Sequence, residues 1–322
     1  MKTKEDLRIV YLGTPDFAVE TLRRLVENGY NIVGVVTTPD KPVGRHQNHL
    51  QPSPVKSYAL EHGLPLMQPE RLRDEAFLEQ LRAFRADLQV VVAFRMLPEV
   101  VWNMPPMGTV NLHASLLPRY RGAAPINWAI MNGESETGAT TFLLKHDIDT
   151  GDMLQQINIP ISETDTFGTL HDRLMTEGAD LMMQTIDALL EGNITPTPQD
   201  EKEAANAPAA PKIFRETCRI DWNRGLTAVY NHIRGLSPVP AAWTMLRTSD
   251  SEAMLKIYGA TPIACNHSYP VGKIVLPQPG ELAVATEGGL LRIDDLQIAG
   301  KKRMTTADYL RGCKNMAEAS VD

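Results

Sequence analysis

Three side chains in this sequence have the chemistry of a carbonyl-centred transfer. In T-V-N-L-H, Asn111 and His113 alternate with apolar Val110 and Leu112, the two-residue spacing of a strand. If that strand is buried and ends near His113, an amide and an imidazole emerge together at its carboxyl end. In open α/β sheets that edge is where ligands bind. The residues after it, A-S-L-L-P-R-Y-R-G, are punctuated by Pro118 and Gly122 and read as a loop. Further along, I-D-T-G-D places Asp149 two residues before Gly151, in a turn that can aim the carboxylate back into a site. An amide polarises a carbonyl oxygen, an imidazole shuttles protons, and a carboxylate fixes the imidazole charge and orders water. Taken singly, His113 reads as a histidine satisfied by a backbone carbonyl and Asp149 as an ordinary turn residue. Together they read as a site.

The elements that must hold these residues follow from the pattern on either side. Residues 8–12 form a short apolar strand ended by Gly13, Thr14 is placed to cap the next helix, and Pro15 occupies its first position. Residues 31–36 form a second strand, so this strand–helix–strand unit is a right-handed parallel crossover. The turn has Gly13 but no G-x-G-x-x-G, which removes the main support for a nicotinamide dehydrogenase. Ser53-Pro54 opens a helix, 74–85 is helical, and D-L-Q-V-V-V-A-F at 87–94 is a buried strand. Pro125 starts a short helix, 138–144 and 153–161 are strands flanking the I-D-T-G-D turn, and 164–190 is a long helix closing the first domain. The expected fold is a Rossmann-like α/β domain with a mostly parallel sheet over 1–192. A proline-rich linker spans 193–211, and a second domain covers 212–322. In that second domain a helix at 226–234 precedes short strands at 255–258, 273–275, 282–285 and 290–293, the pattern of a small antiparallel barrel.

Composition sets limits. The 322 residues are 43% hydrophobic and 22% charged, ordinary for a globular chain. The start M-K-T-K-E-D-L-R supports no secretory signal, and no apolar run is long enough to span a bilayer. Cys218, Cys265 and Cys313 make neither a metal pattern nor an even disulfide set, so no metal is expected and the compartment reads as reducing, hence cytoplasmic. The net charge of −7 is uneven: after Ala205 there are 14 basic against 11 acidic residues, giving +3 there and −10 before it. A mildly basic tail is compatible with contact to RNA through local patches without requiring it. The long segment 37–53 is locally basic, with Lys41, Arg45, His46 and His49, and reads as a functional or solvated loop.

Asn111-x-His113, the following S-L-L-P-R-Y-R-G and Asp149 in I-D-T-G-D resemble the signature of the formyltetrahydrofolate-dependent formyltransferases. Y-L-G-T-P-D-F-A, P-S-P-V-K, I-D-W and G-K-K-R-M resemble, in order along nearly the whole chain, the members that act on methionyl-tRNA. The resemblance implies transfer of a formyl group from 10-formyltetrahydrofolate to the amino group of initiator methionyl-tRNA, with Asn111, His113 and Asp149 catalytic. It implies a folate site beside Ser115, Leu116, Leu117 and Pro118, with hydrogen bonds to the pterin largely from backbone. It implies tRNA contacts from Lys41, Arg45, Lys301, Lys302 and Arg303, an OB-like second domain, and no covalent enzyme intermediate. A monomer and no membrane partner are expected. The chain departs from the family pattern at Phe94-Arg95, where Tyr-Gly is usual, which raises the question of what Arg95 does to the folate pocket. Competing readings are a formyltransferase for a small amine, a folate-dependent deformylase, and a non-catalytic RNA-binding protein.

Overall fold

The structure is a computed structural model that describes residues 2–43, 49–313 and 316–322. Two compact units share the chain. The first comprises Met1–Gly122, Thr137–Ile159 and His171–Ala209, and the second comprises Ala123–Glu136, Pro160–Leu170 and Ala210–Asp322.

The first unit is built on strands β1 (Arg8–Gly13), β2 (Asn31–Val36), β3 (Lys41–Val43), β4 (His49–Gln51), β5 (Leu66–Met67), β6 (Leu88–Val92), β7 (Thr109–His113), β8 (Glu136–Leu143) and β9 (Met153–Pro160). Seven of them form one sheet in the order β5-β2-β1-β6-β7-β8-β9. The pairs from β5 through β7 are parallel and β8 runs antiparallel to β7. Parallel strands covered on both faces read as near-continuous apolar runs; all five residues of L-Q-V-V-V in β6 are buried, Gln89 included. The chain leaves β1 towards β2 and returns on its other side at β6, the reversal of strand order that opens a crevice at the carboxyl ends.

Helices α1 (Asp16–Glu27), α2 (Pro54–Glu61), α3 (Glu75–Ala83) and α4 (Glu99–Trp102) cross between the strands. Phe77, Leu78 and Leu81 of α3 pack in one buried cluster with Val10, Leu12, Val36 and Val91. The helix after β1 begins one residue later than the sequence suggests. Pro15 is its N-cap residue, and the Thr14 hydroxyl is buried with no hydrogen-bond partner, so Thr14 caps nothing. The Ser53 cap is present, its hydroxyl accepting from the Lys56 N–H at 3.1 Å. Segment 37–53, expected to be irregular, contains the antiparallel ribbon β3–β4, with Lys41 opposite Gln51.

After the short helix α5 (Pro125–Met131) comes α6 (Phe167–Glu191), the long helix expected from its apolar spacing. A Cβ at Gly178 of α6 would lie 3.1 Å from the Leu112 side chain, so this helix rests directly on β7 one residue before His113. The proline-rich stretch that follows is not plain linker. Thr197 makes a two-way backbone bridge with Met153 at 2.8 and 2.9 Å, and α7 (Glu201–Asn206) is capped by Asp200.

In the second unit, α8 (Leu226–Leu236) precedes β10 (Ala242–Arg247), β11 (Glu252–Ala264), β12 (Ile274–Val275), β13 (Leu282–Thr286), β14 (Gly289–Ile298), β15 (Met304–Thr305), α9 (Thr306–Arg311) and β16 (Ser320–Val321). The sheet runs β12-β13-β14-β11-β10-β16, with β15 on β14. Its ends meet: the Ile274 N–H donates to the Ala319 carbonyl at 3.1 Å, and the Val321 N–H donates to that of Gly272 at 2.8 Å. The result is the small antiparallel barrel expected. Val229, Ile233 and Leu236 of α8 fill it beside Trp222, Ile257 and Leu291. Two strands are longer than their sequence signal. β11 is interrupted by register shifts at Gly259, and β14 continues through Asp294 and Asp295. A bulge breaks the period of two, and aspartates are depleted in strands.

Candidate active site

His113 is the last residue of β7, opposite Thr140 of antiparallel β8, and is 7% exposed. Its Nε2 lies 2.8 Å from the Tyr120 carbonyl oxygen. A carbonyl only accepts, so Nε2 carries a proton and donates it there. The other ring nitrogen, Nδ1, faces Asp149 with 3.8 Å to Oδ2. That distance is too long for a hydrogen bond but within reach of an ion pair when the ring is charged. Asn111 sits two residues back on the same face of β7, between Val91 and Phe142, and is half-buried.

The loop carrying Asp149 is tied down at several points. Asp149 has a left-handed backbone, φ +54°, and its Oδ2 accepts from the Gly122 N–H at 2.9 Å. Buried Gln199 donates from Nε2 to the Asp149 and Gly151 carbonyls at 2.8 and 2.9 Å. Its Oε1 accepts two bonds from the Arg121 guanidinium, at 3.0 and 2.7 Å. Gly151 is required sterically, since a Cβ there would lie 1.6 Å from the Leu143 carbonyl oxygen. Tyr120, which holds His113, is itself left-handed at φ +58°, and its N–H donates to the Pro208 carbonyl at 2.6 Å. Gln199 and Pro208 escaped the sequence reading because they lie in a stretch without apolar periodicity, and main-chain contacts leave no side-chain signature. The left-handed residues were equally invisible.

The loop 115–118 is a fixed wall. Ser115, Leu117 and Pro118 are buried and Leu116 half-buried. Thr140 Oγ1 donates to the Ser115 carbonyl at 2.7 Å and accepts from the Leu117 N–H at 3.1 Å and from Gln156 Nε2 at 2.9 Å. Gln156 Nε2 also donates to the Leu117 carbonyl at 2.9 Å. The Ser115 carbonyl and the N–H and carbonyl of Leu117 are therefore each engaged with a side chain of the protein. At the departure from the family pattern, Arg95 turns its guanidinium onto the Pro69 and Glu70 carbonyls, and burial lowers its pKa.

The basic residues are dispersed. Lys41 is exposed on β3, and Arg45 lies outside the described residues. In the second unit Lys301, Lys302 and Arg303 are exposed, and Arg303 donates from Nε to Asp295 at 2.7 Å and stacks over the Tyr258 ring. A cavity of about 180 Å³ also lies within that unit, lined by Trp128, Met131, Ile220, Val229 and His232 among others. The His232 Nε2 is buried without a partner. Among the described residues no group of His, Cys, Asp or Glu is arranged to hold a metal ion, and no helix is long and apolar enough to cross a membrane.

An imidazole and a carboxylate face each other across 3.8 Å at the carboxyl edge of the parallel strands, the edge at which open α/β sheets place ligands. Residues 7–186 match the formyl transferase family, and residues 212–314 match the family's C-terminal domain. The chain belongs to the formyl transferase family. It is 60% identical over 321 residues, 99% of either chain, to a methionyl-tRNA formyltransferase of Parabacteroides distasonis. To the protein of the same name from Bacteroides fragilis it is 58% identical over 311 residues, 96% of either chain. Among solved structures it resembles Aquifex aeolicus HypX in complex with tetrahydrofolic acid, with a TM-score of 0.64 at 18% identity over 94% of this chain. The match spans 47% of that longer protein. It also resembles WlaRD, a sugar 3N-formyl transferase, with a TM-score of 0.63 at 18% identity, covering 92% of this chain and 99% of that one. These two likenesses concern the fold.

Proposed function

We propose that this chain transfers the formyl group of 10-formyltetrahydrofolate to the amino group of methionine carried by initiator tRNA. The observation that carries the reading is the buried His113–Asp149 pair at the end of β7, in a chain similar over its full length to methionyl-tRNA formyltransferases. The methionyl amine attacks the formyl carbon, a new C–N bond forms, and the bond to the folate nitrogen breaks. The amine loses a proton and the folate nitrogen gains one. Asn111 donates from its carboxamide to the oxygen on which charge develops. The Nε2–H of His113 is committed to Tyr120, which leaves Nδ1, on the side of Asp149, for proton exchange. Asp149 holds the charge of the ring and orders a water that carries the amine proton away.

Leu116, Leu117 and Pro118 with Ser115 form the apolar side of the folate site, held by Thr140 and Gln156. Residues 1–192 carry the chemistry, and residues 212–322 contribute tRNA contacts through Lys301 and Lys302, beside an Arg303 that is paired with Asp295, with Lys41 and Arg45 contacting the tRNA from the first unit. A cytoplasmic monomer accords with this role.

The test is formyl transfer from 10-formyltetrahydrofolate to methionyl initiator tRNA, with methionyl elongator tRNA, free methionine and water as competing acceptors. Strong preference for the initiator is expected. Folate turnover that leaves the tRNA unformylated, with formate or a formylated small amine as product, would overturn the reading.

A further inference from the structure

We propose that residues 197–208 form a strap that sets the geometry of the catalytic pair, with Gln199 as a positioning residue acting through Asp149. This inference rests on the catalytic reading of His113 and Asp149. The stretch falls between the two family matches, 7–186 and 212–314. It bonds to Asp149 directly and to His113 through Tyr120.

On the Asp149 side, the backbone bridge between Thr197 and Met153 anchors the strap just beyond the catalytic loop. Gln199 then spans the loop from below. Its two N–H donors satisfy the carbonyls of Asp149 and Gly151, the two ends of the turn. Its carbonyl is held by Arg121, next in sequence to Gly122, whose N–H grips the Asp149 carboxylate. One buried amide thus fixes the main chain of Asp149, while the residue after its own anchor fixes the side chain. On the His113 side, the Pro208 carbonyl accepts from the Tyr120 N–H, and the Tyr120 carbonyl accepts from His113 Nε2. Asp149 and Tyr120 both have a left-handed backbone, which residues other than glycine adopt rarely and keep only when neighbours impose it. The strap bonds to the main chain of both.

The side-chain amide of Gln199 has no polar atom left for a substrate, because Oε1 is spent on Arg121 and Nε2 on Asp149 and Gly151. Its effect must travel through Asp149. A displacement of a catalytic group by about 1 Å is enough to cost about 10²-fold in rate. Binding of either substrate should change little.

The experiment is a double-mutant cycle on the full-length chain, with the single-turnover formylation rate, the KM for each substrate and the melting temperature as readouts. Gln199→Ala is expected to slow transfer by about 10²-fold with both KM values within about twofold of the parent. In the Asp149→Asn background the same change is expected to cost less than about threefold, because the group through which it acts is already gone. Gln199→Glu keeps the acceptor for Arg121 but sets a carboxylate against two carbonyls. It should reproduce the loss, and it replaces the alanine variant should that one fail to fold. Parent-like turnover in both Gln199 variants would overturn the strap, as would an equal loss in the two backgrounds, the mark of a merely structural role. If Asp149→Asn itself keeps full turnover, the catalytic assignment fails first and the strap falls with it.

Discussion

At the scale of single residues, the proposed function concentrates the chemistry in His113 and Asp149, two side chains that the fold is expected to lose without collapsing. His113→Ala and Asp149→Asn are each expected to lower the transfer rate by about 10²- to 10⁴-fold, the range for loss of a proton-transfer group. Melting curves should stay near those of the parent, since Asn retains an oxygen for the Gly122 N–H. Near-parent turnover in either variant refutes its role. A different residue, His232, is expected to contribute to the loss of stability in acid. Its pKa is lowered below the ordinary histidine value by burial and by nearby Arg224, against the opposing pull of the Cys218 backbone and Asp221. The unfolded chain therefore binds a proton near pH 6.5 that the folded chain still refuses. Stability contributed by neutral His232 is complete above that pH and is lost as pH falls towards the lower folded-state value. His232→Gln should flatten the decline of the urea midpoint between about pH 7 and pH 5; an unchanged decline assigns it to other groups. At this scale side-chain type singled out Asn111, His113 and Asp149, of which the structure brings His113 and Asp149 within 3.8 Å of each other. The sequence was silent where a backbone carbonyl does the work, as Tyr120 does for His113.

At the scale of elements, what positions the pair is a strand end, a turn and the helix behind them. β6 and α6 were legible because burial on both faces, or on one helical face, leaves a near-continuous or helically spaced apolar pattern, and β7 because Val110 and Leu112 alternate with Asn111 and His113. β11 and β14 were legible only in part, since the bulge at Gly259 and the Asp294–Asp295 pair interrupt the alternation that marks a strand. The ribbon β3–β4 was hidden for a related reason: three residues per strand are too few for a period to show. The turn between β8 and β9 is the most exacting of these elements. A methyl at Gly151 would sit 1.6 Å from the Leu143 oxygen, and the backbone there cannot yield without moving Asp149. Gly151→Ala is expected to cost about 1–3 kcal/mol or more by overpacking. It should reduce turnover by more than its fraction unfolded explains. Denaturant titration paired with an activity assay at low temperature separates the two effects. A stable variant with full activity would show that the turn can relax.

At the scale of the whole molecule, the question is how a chain of net charge −7 engages a polyanion. Net charge opposes long-range attraction, so the phosphates are expected to be met through local patches, and the number of contacts can be measured from salt dependence. Removing one phosphate-neutralising side chain lowers the slope of log K against log salt by about 0.9 for a duplex and about 0.7 for a single strand. The cationic triplet 301–303 does not divide equally. All three are exposed, but Arg303 is already paired with Asp295 and stacked on Tyr258. Counting charges in the sequence weights all three alike, because nothing in K-K-R reveals that a carboxylate on β14 has claimed the third. Substituting Lys301 and Lys302 together by alanine should weaken tRNA binding and flatten the salt slope by about 1 to 2, leaving the rate at saturating tRNA unchanged. Arg303→Ala should barely change the slope and should instead lower the melting temperature, since it removes an ion pair and a ring contact that brace β14 and β15. Dissociation constants for initiator tRNA between about 50 and 200 mM salt decide the matter. If the slope falls for Arg303→Ala and not for the lysine pair, the triplet's stabilising and binding roles are the reverse of those argued from its surroundings.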